Sequence, residues 1–174
     1  MAEGEAAGIS IWLVPEGEAE ERFARLIDEL SRRWGTPAFP PHVTLLAGLP
    51  DDEAAAAGGL RALARDIPPF PVRLAGVDGR DEYFRRLFVR AEPTPDLLAA
   101  HARAATRFGR TPDPGFLPHL SLLYGRLSGD EVAALRSSLA GRAAGMFEAA
   151  HLHAWRTEGP VPAWRPLSRA RLGA

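Results

Sequence analysis

The sequence contains no cysteine and no lysine. Without cysteine there can be no disulfide, no thiolate nucleophile and no cysteine-ligated zinc. Without lysine, all 21 basic residues are arginine, whose planar guanidinium grips phosphate in a fork that an ammonium group cannot copy. An excess of one charge is lacking too. The net charge is -1 at pH 7, so no broad field draws the chain to long nucleic acid or to a membrane. A small anion held by a few local groups stays open. No apolar run approaches the ~20 residues that span a bilayer. Met1 to Gly8 is acidic and rich in Ala and Gly, without the basic end and apolar run of a secretory leader. The expectation is a cytoplasmic monomer that takes a small molecule.

What is present suits one folded unit. The 174 residues, 46% hydrophobic and 25% charged, can bury a real core as one domain or as two compact lobes. Residues 1–8 read as a disordered tail. Alternation makes Ile9 to Val14 a strand, with Ile9, Ile11 and Leu13 on one face and Ser10, Trp12 and Val14 on the other. Phe23, Leu26, Ile27, Leu30 and Trp34 form one helical stripe over Glu18 to Trp34, with Gly35 and Pro37 as stop signals. Phe39 to Ala47 follows as a strand entered through prolines, then an Ala-rich helix over Asp51 to Asp66 that Gly58 and Gly59 weaken. Phe70 to Val77 and Tyr83 to Ala91 read as paired strands, and Thr94 to Phe108 as a helix with Thr94 and Pro95 at its start. After a Pro/Gly-rich loop, Leu117 to Tyr124 is a strand. Ser128 to Leu139 is a helix opening on a capping box with Glu131. Met146 to Arg156 and Ala163 to Arg171 complete the strands. This order predicts an α+β fold, antiparallel sheet with helices on the outside.

Two stretches share one frame. Pro41-His42-Val43-Thr44-Leu45-Leu46-Ala47-Gly48 returns 77 residues later as Pro118-His119-Leu120-Ser121-Leu122-Leu123-Tyr124-Gly125. Such a duplication implies two related lobes. Side chains alternate along a strand, so His42 and Thr44 share a face while Val43 and Leu45 turn to the core; His119 and Ser121 do likewise. Two such strands side by side gather two imidazoles and two hydroxyls. Each hydroxyl can donate to a phosphate oxygen and each imidazole can move a proton. Opening a cyclic phosphodiester needs a base for the attacking water and an acid for the departing oxygen. Histidine, with an ordinary pKa near 6.5, serves for both. One His-x-Thr motif on a strand is commonly a surface or hydrogen-bonded core feature. Two in matching apolar frames argue for a site.

On these residues, together with Ser10-Ile11-Trp12-Leu13-Val14-Pro15, the sequence resembles the two-histidine phosphoesterases, and within them the plant-type cyclic phosphodiesterases. The resemblance covers nearly the whole chain, strongly at both motifs and weakly elsewhere. It implies one bilobal unit over 9–172, two antiparallel sheets facing a central cleft, and hydrolysis of nucleoside 2',3'-cyclic phosphates or of ADP-ribose 1'',2''-cyclic phosphate without a metal or other cofactor. It also implies that His119 activates water, that His42 protonates the leaving oxygen, and that Thr44 and Ser121 hold the non-bridging oxygens. Tyr124 lines the site in that family; simple alternation aims Tyr124 away from His119, so a bulge near Leu123 would have to re-aim it. The plant members carry cysteines and a longer loop before the second motif, and this chain has neither.

Further candidates are weaker. Trp12 suits stacking on a base or ribose, or a place in the core. Phe84 suits closing the cleft, or packing beneath it. His151 and His153 form a His-x-His with no evident third ligand. His101 reads as a surface residue of its helix, and Arg85-Arg86 as a solvated pair or a phosphate attractor. Action on a cyclic-ended or 2'-5'-linked RNA, a binding module without catalysis, and a metal hydrolase built on His151 and His153 are the competing functions.

Overall fold

The computed structural model describes residues 4–174. Along the chain run β1 (Glu5–Ala6), β2 (Ile9–Leu13), α1 (Glu18–Trp34), β3 (Val43–Leu49), α2 (Glu53–Arg65), β4 (Phe70–Asp78), β5 (Leu87–Ala91), α3 (Pro95–Arg107), β6 (His119–Leu123), α4 (Gly129–Leu139), β7 (Gly145–Ala149), β8 (His151–Arg156), β9 (Gly159–Pro160) and β10 (Arg165–Arg171). Part of the expected disordered tail, residues 1–3, lies outside the described residues. Within the rest, Glu5 and Ala6 pair with Pro160 and Gly159, so the ordered chain begins before Ile9.

The helices begin and end where their chemistry dictates. Three glutamates fill the first turn of α1 and Arg32 and Arg33 its last, matching the helix dipole. Gly35, at φ 65°, supplies the left-handed cap. Asp52 and Thr94 accept backbone N–H groups at the starts of α2 and α3. Ser128 and Glu131 close both halves of the capping box on α4. Gly59 has a packing reason: a Cβ there would meet the Phe108 ring at 2.6 Å, so its bareness lets the end of α3 pack on α2.

Eight strands form one antiparallel, curled sheet in the order β10-β8-β2-β3-β6-β5-β4-β7. It divides into two four-stranded lobes, because among the described residues β3 and β6 share a single bridge pair, Val43 with Leu120. Helices pack behind in an exchanged pattern. α1 covers β6 and β7, while α3 covers β3; α2 lies on β8 and β10, and α4 on β4. Each half of the duplication thus lends its first helix to the other half's motif strand, and the core of Ile, Leu, Val and Phe runs through both lobes.

Two expected strands differ. Met146 to Arg156 is broken at Ala150: Phe147 and Ala149 are buried before it, Leu152 and Ala154 after it. That change of parity marks the crossing from β7, on β4 in one lobe, to β8, on β2 in the other. Tyr83 to Arg85 form a short 3₁₀ turn, and the strand starts only at Leu87.

Candidate active site

The bridge between the lobes joins equivalent positions of the repeat, so the local two-fold passes between Val43 and Leu120. Stepping one residue either way along antiparallel strands sets Thr44 across from His119 and His42 across from Ser121. All four side chains point to the face opposite Val43 and Leu120, which are fully buried. They line one cleft of about 220 Å³ with Ser10, Trp12, Phe84, Arg85, Tyr124, Thr157 and Trp164.

Both imidazoles are held alike. His42 Nδ1 lies 2.7 Å from the Pro40 carbonyl, and His119 Nδ1 lies 2.7 Å from the Leu117 carbonyl. A carbonyl only accepts, so each Nδ1 carries the proton and each Nε2 keeps its lone pair. The extended backbone two residues before each motif, forced by Pro41 and Pro118, puts that carbonyl in reach. An aromatic from the neighbouring strand backs each ring. Trp12 stacks on His42 at 3.6 Å and 10°, and Phe88 meets His119 at 4.8 Å.

A bulge repeats in both motif strands. Trp12 pairs with Thr44 but Ile11 with Leu46; Phe88 pairs with Ser121 but Leu87 with Leu123. Leu45 and Leu122 are the inserted residues, so both leucines after each hydroxyl turn to the core and the next residue returns to the cleft. That re-aims Tyr124, and its counterpart Ala47. Tyr124 packs between Phe39, stacked at 3.8 Å, and Phe84 at 5.1 Å. Burial pushes its phenol up, beyond the ordinary range, with Ser121 offsetting part of the rise, so it is a neutral group. The 3₁₀ turn swings Phe84 and Arg85 inward, where sequence alternation had left them in a strand.

Electrostatics favour neutral rings in the free protein. Burial lowers His42 to about 3, against a hydrogen bond to the Pro40 carbonyl that raises it, and nearby His119 adds a small further lowering. His119 is also lowered, chiefly by burial and, less strongly, by Arg85, with the Leu117 carbonyl and Glu82 acting the other way. Arg85 is tied to Glu82 at 2.5 Å and borders both the cleft and a second groove of about 390 Å³ that shares Thr44, Ala47 and His119. The hydroxyl of Ser121 donates to the Phe84 carbonyl at 3.3 Å. The Ser10 and Thr157 hydroxyls bond to one another at 2.9 Å on the opposite wall.

Other candidates part company with the site. Arg86 is buried and paired with Asp81 at 2.6 Å. His151 Nδ1 faces Glu16 at 2.6 Å, and burial lowers His153 to about 4. Among the described residues no three His, Asp or Glu side chains gather as a metal ligand set, so the His-x-His finds no third ligand there. His101 is buried, not on the surface. Phe88 and Trp164 join the site unannounced, and of the Arg85-Arg86 pair Arg85 borders the cleft. The signal for Phe88 was an aromatic on the strand before the helix that leads to each motif, thirty-one residues ahead of His119 as Trp12 is thirty ahead of His42.

A curled, two-lobed sheet that presents two Nε2 atoms and two hydroxyls at its pseudo-two-fold defines a phosphoesterase of the two-histidine kind. The family model of the 2'-5' RNA ligase superfamily matches residues 15–160, and the chain belongs to that superfamily. It is 31% identical over 129 residues to a cyclic phosphodiesterase of Arabidopsis thaliana, covering 70% of this chain and 67% of that protein. Among solved structures it is similar to TT0787 of Thermus thermophilus (TM-score 0.67, 20% identity, 95% of this chain and 98% of the other). It is also similar to LigT of E. coli in its apo form (TM-score 0.64, 16% identity, 98% and 99%). These structural likenesses show the shared fold. No helix among the described residues is long and apolar enough to cross a membrane.

Proposed function

We propose that the protein hydrolyses small cyclic phosphodiesters, nucleoside 2',3'-cyclic phosphates to 2'-phosphates or ADP-ribose 1'',2''-cyclic phosphate to the 1''-phosphate, by acid-base catalysis between His119 and His42. The single observation that carries this is the pair of Nδ1–carbonyl bonds, which leave both Nε2 atoms free in one cleft. The cyclic phosphate sits between the rings, its non-bridging oxygens on the Thr44 and Ser121 hydroxyls. His119 Nε2 takes a proton from water as the water oxygen bonds to phosphorus. The ring P–O bond breaks on the far side, and protonated His42 Nε2 gives its proton to the departing oxygen. The assignment of base to His119 rests on access: it borders both the cleft and the adjoining groove, whereas His42 lies under Trp12. The arriving anion raises the proton affinity of His42, supplying the charged form that burial disfavours in the free protein. Phe84 and Trp164, the half-buried aromatics of the cleft, offer their rings to a base and ribose, while Trp12, packed between His42 and Trp155, and Tyr124, packed between Phe39 and Phe84, are buried behind them. Each placed proton-transfer group is worth roughly 10²- to 10⁴-fold.

A second reading is action on the cyclic end of an oligonucleotide. The second groove favours it, because it continues past His119 along Arg85, Arg110 and Thr111 with room for a preceding nucleotide. The net charge of -1 limits this to short substrates. One assay decides between them: adenosine 2',3'-cyclic phosphate, ADP-ribose cyclic phosphate and a cyclic-ended trinucleotide side by side in excess EDTA, with the product isomers identified. Fast opening of the small substrates to the 2'-phosphate supports the first reading, and a strong preference for the trinucleotide the second. No turnover of any of the three overturns both.

A further inference from the structure

We infer that His101, outside the cleft, is a positioning residue that locks the two catalytic motifs to each other; the inference deepens the two-histidine reading and rests on it. His101 lies on the buried stripe of α3 with Leu97, Ala100, Ala104 and Ala105. Its Nδ1 donates to the Leu45 carbonyl at 2.8 Å, the inserted residue of the β3 bulge and the one that follows Thr44. Its Nε2 accepts from the Asp113 backbone N–H at 3.1 Å, in the loop that leads to the second motif. Its face stacks on Phe116 at 3.9 Å and 4°, next to Leu117, whose carbonyl orients His119. One ring thus holds the backbone behind Thr44 in one lobe and the loop that leads to His119 in the other.

Those lobes share a single bridge pair at this point among the described residues, so side-chain ties beside the seam add to the exchanged helices in fixing how the two motifs sit. Arg110 adds a parallel tie from the same loop to the Ala47 carbonyl at 2.8 Å. Neither His101 nitrogen is spare: Nδ1–H donates to the Leu45 carbonyl and Nε2 accepts from Asp113. A misplacement near 1 Å of a proton-transfer group costs on the order of a hundredfold in rate, and His101 sets that spacing from outside the cleft that takes the cyclic phosphate, on the wall of the second groove.

The test replaces His101 by Phe, which keeps the stack and loses both hydrogen bonds, and by Asn, which keeps a donor toward Leu45 but is too short to reach the Asp113 N–H and lacks the ring that stacks on Phe116. The expected result is a kcat lower by about ten- to a hundredfold with KM within about threefold. The low-field Nδ1–H proton resonance of His119 should shift or broaden while that of His42 stays in place. A kcat within about twofold of wild type, or a lowered kcat with the His119 resonance unmoved, overturns the inference. If H101F does not fold, H101N is read by the same criteria. Wild type and H42A run alongside: a wild type without turnover sinks the two-histidine reading itself, and the resonances still decide whether His101 positions His119.

Discussion

Val43 and Leu120, equivalent positions of an internal repeat, pair with each other across the seam between the lobes. A self-pairing of this kind puts a local two-fold at the seam. Residues one step away, His42 with Ser121 and Thr44 with His119, then fall into a square. The duplication and the site are therefore one geometric fact. Leu120 is fully buried, so Leu120→Ala should lower the unfolding free energy by about 2–5 kcal/mol. Urea denaturation with an unchanged m-value reads this; a loss below about 1 kcal/mol would deny the seam its structural weight.

The pH dependence follows from burial. Both histidines are lowered in the free protein, and kcat/KM reports free-enzyme ionisations. Its bell should peak below about pH 6.5, the ordinary imidazole value. The kcat bell should lie at higher pH, since bound phosphate raises the acid's affinity for its proton. A kcat/KM maximum at or above about pH 7 would count against neutral, buried rings.

Stability should carry the same signature. An unfolded His42 takes its proton as pH falls through about 6.5, whereas the folded one stays neutral down to about 3. Between these values the unfolded state binds more protons, so the contribution of His42 is full above about pH 6.5 and is lost as pH falls. The loss is at most about 1.4 kcal/mol per pH unit for this one ring. Urea unfolding of wild type and His42→Asn from about pH 7 to about pH 4.5 should show a shallower slope for the variant. Parallel slopes would mean that His42 titrates normally in the fold.

Trp12 is buried between two rings, stacked on His42 at 3.6 Å and on Trp155 at 4.8 Å, so it offers no open face to a base and acts by holding His42. Trp12→Leu should lower kcat by about ten- to a hundredfold with KM within about threefold, with Trp12→Phe in between. A raised KM with kcat unchanged would instead make Trp12 a substrate contact.

Much of this was legible in the residues. The stripe of Phe23, Leu26, Ile27 and Leu30 gave α1 its observed limits, because glycine and acidic or basic turns punctuate it. The repeated His-x-Thr/Ser frame located both halves of the cleft. What escaped was local irregularity. Strict alternation misdirects Tyr124, since an inserted Leu122 resets the count. It also ran Met146 to Arg156 together, although buried positions change parity at Ala150. His101 looked like a surface residue because its type is polar, yet its spacing from Leu97, Ala104 and Ala105 is that of the buried face. Residue type misled where periodicity was right.

The most direct measurement is the hydrolysis of adenosine 2',3'-cyclic phosphate in excess EDTA by wild type, His42→Ala and His119→Ala, each shown folded by its thermal melt. Turnover by wild type with a loss of at least about a hundredfold in each single variant, and little further loss in the double variant, is the expected result. Activity that survives either single change within about fivefold would contradict a chemistry shared between the two rings.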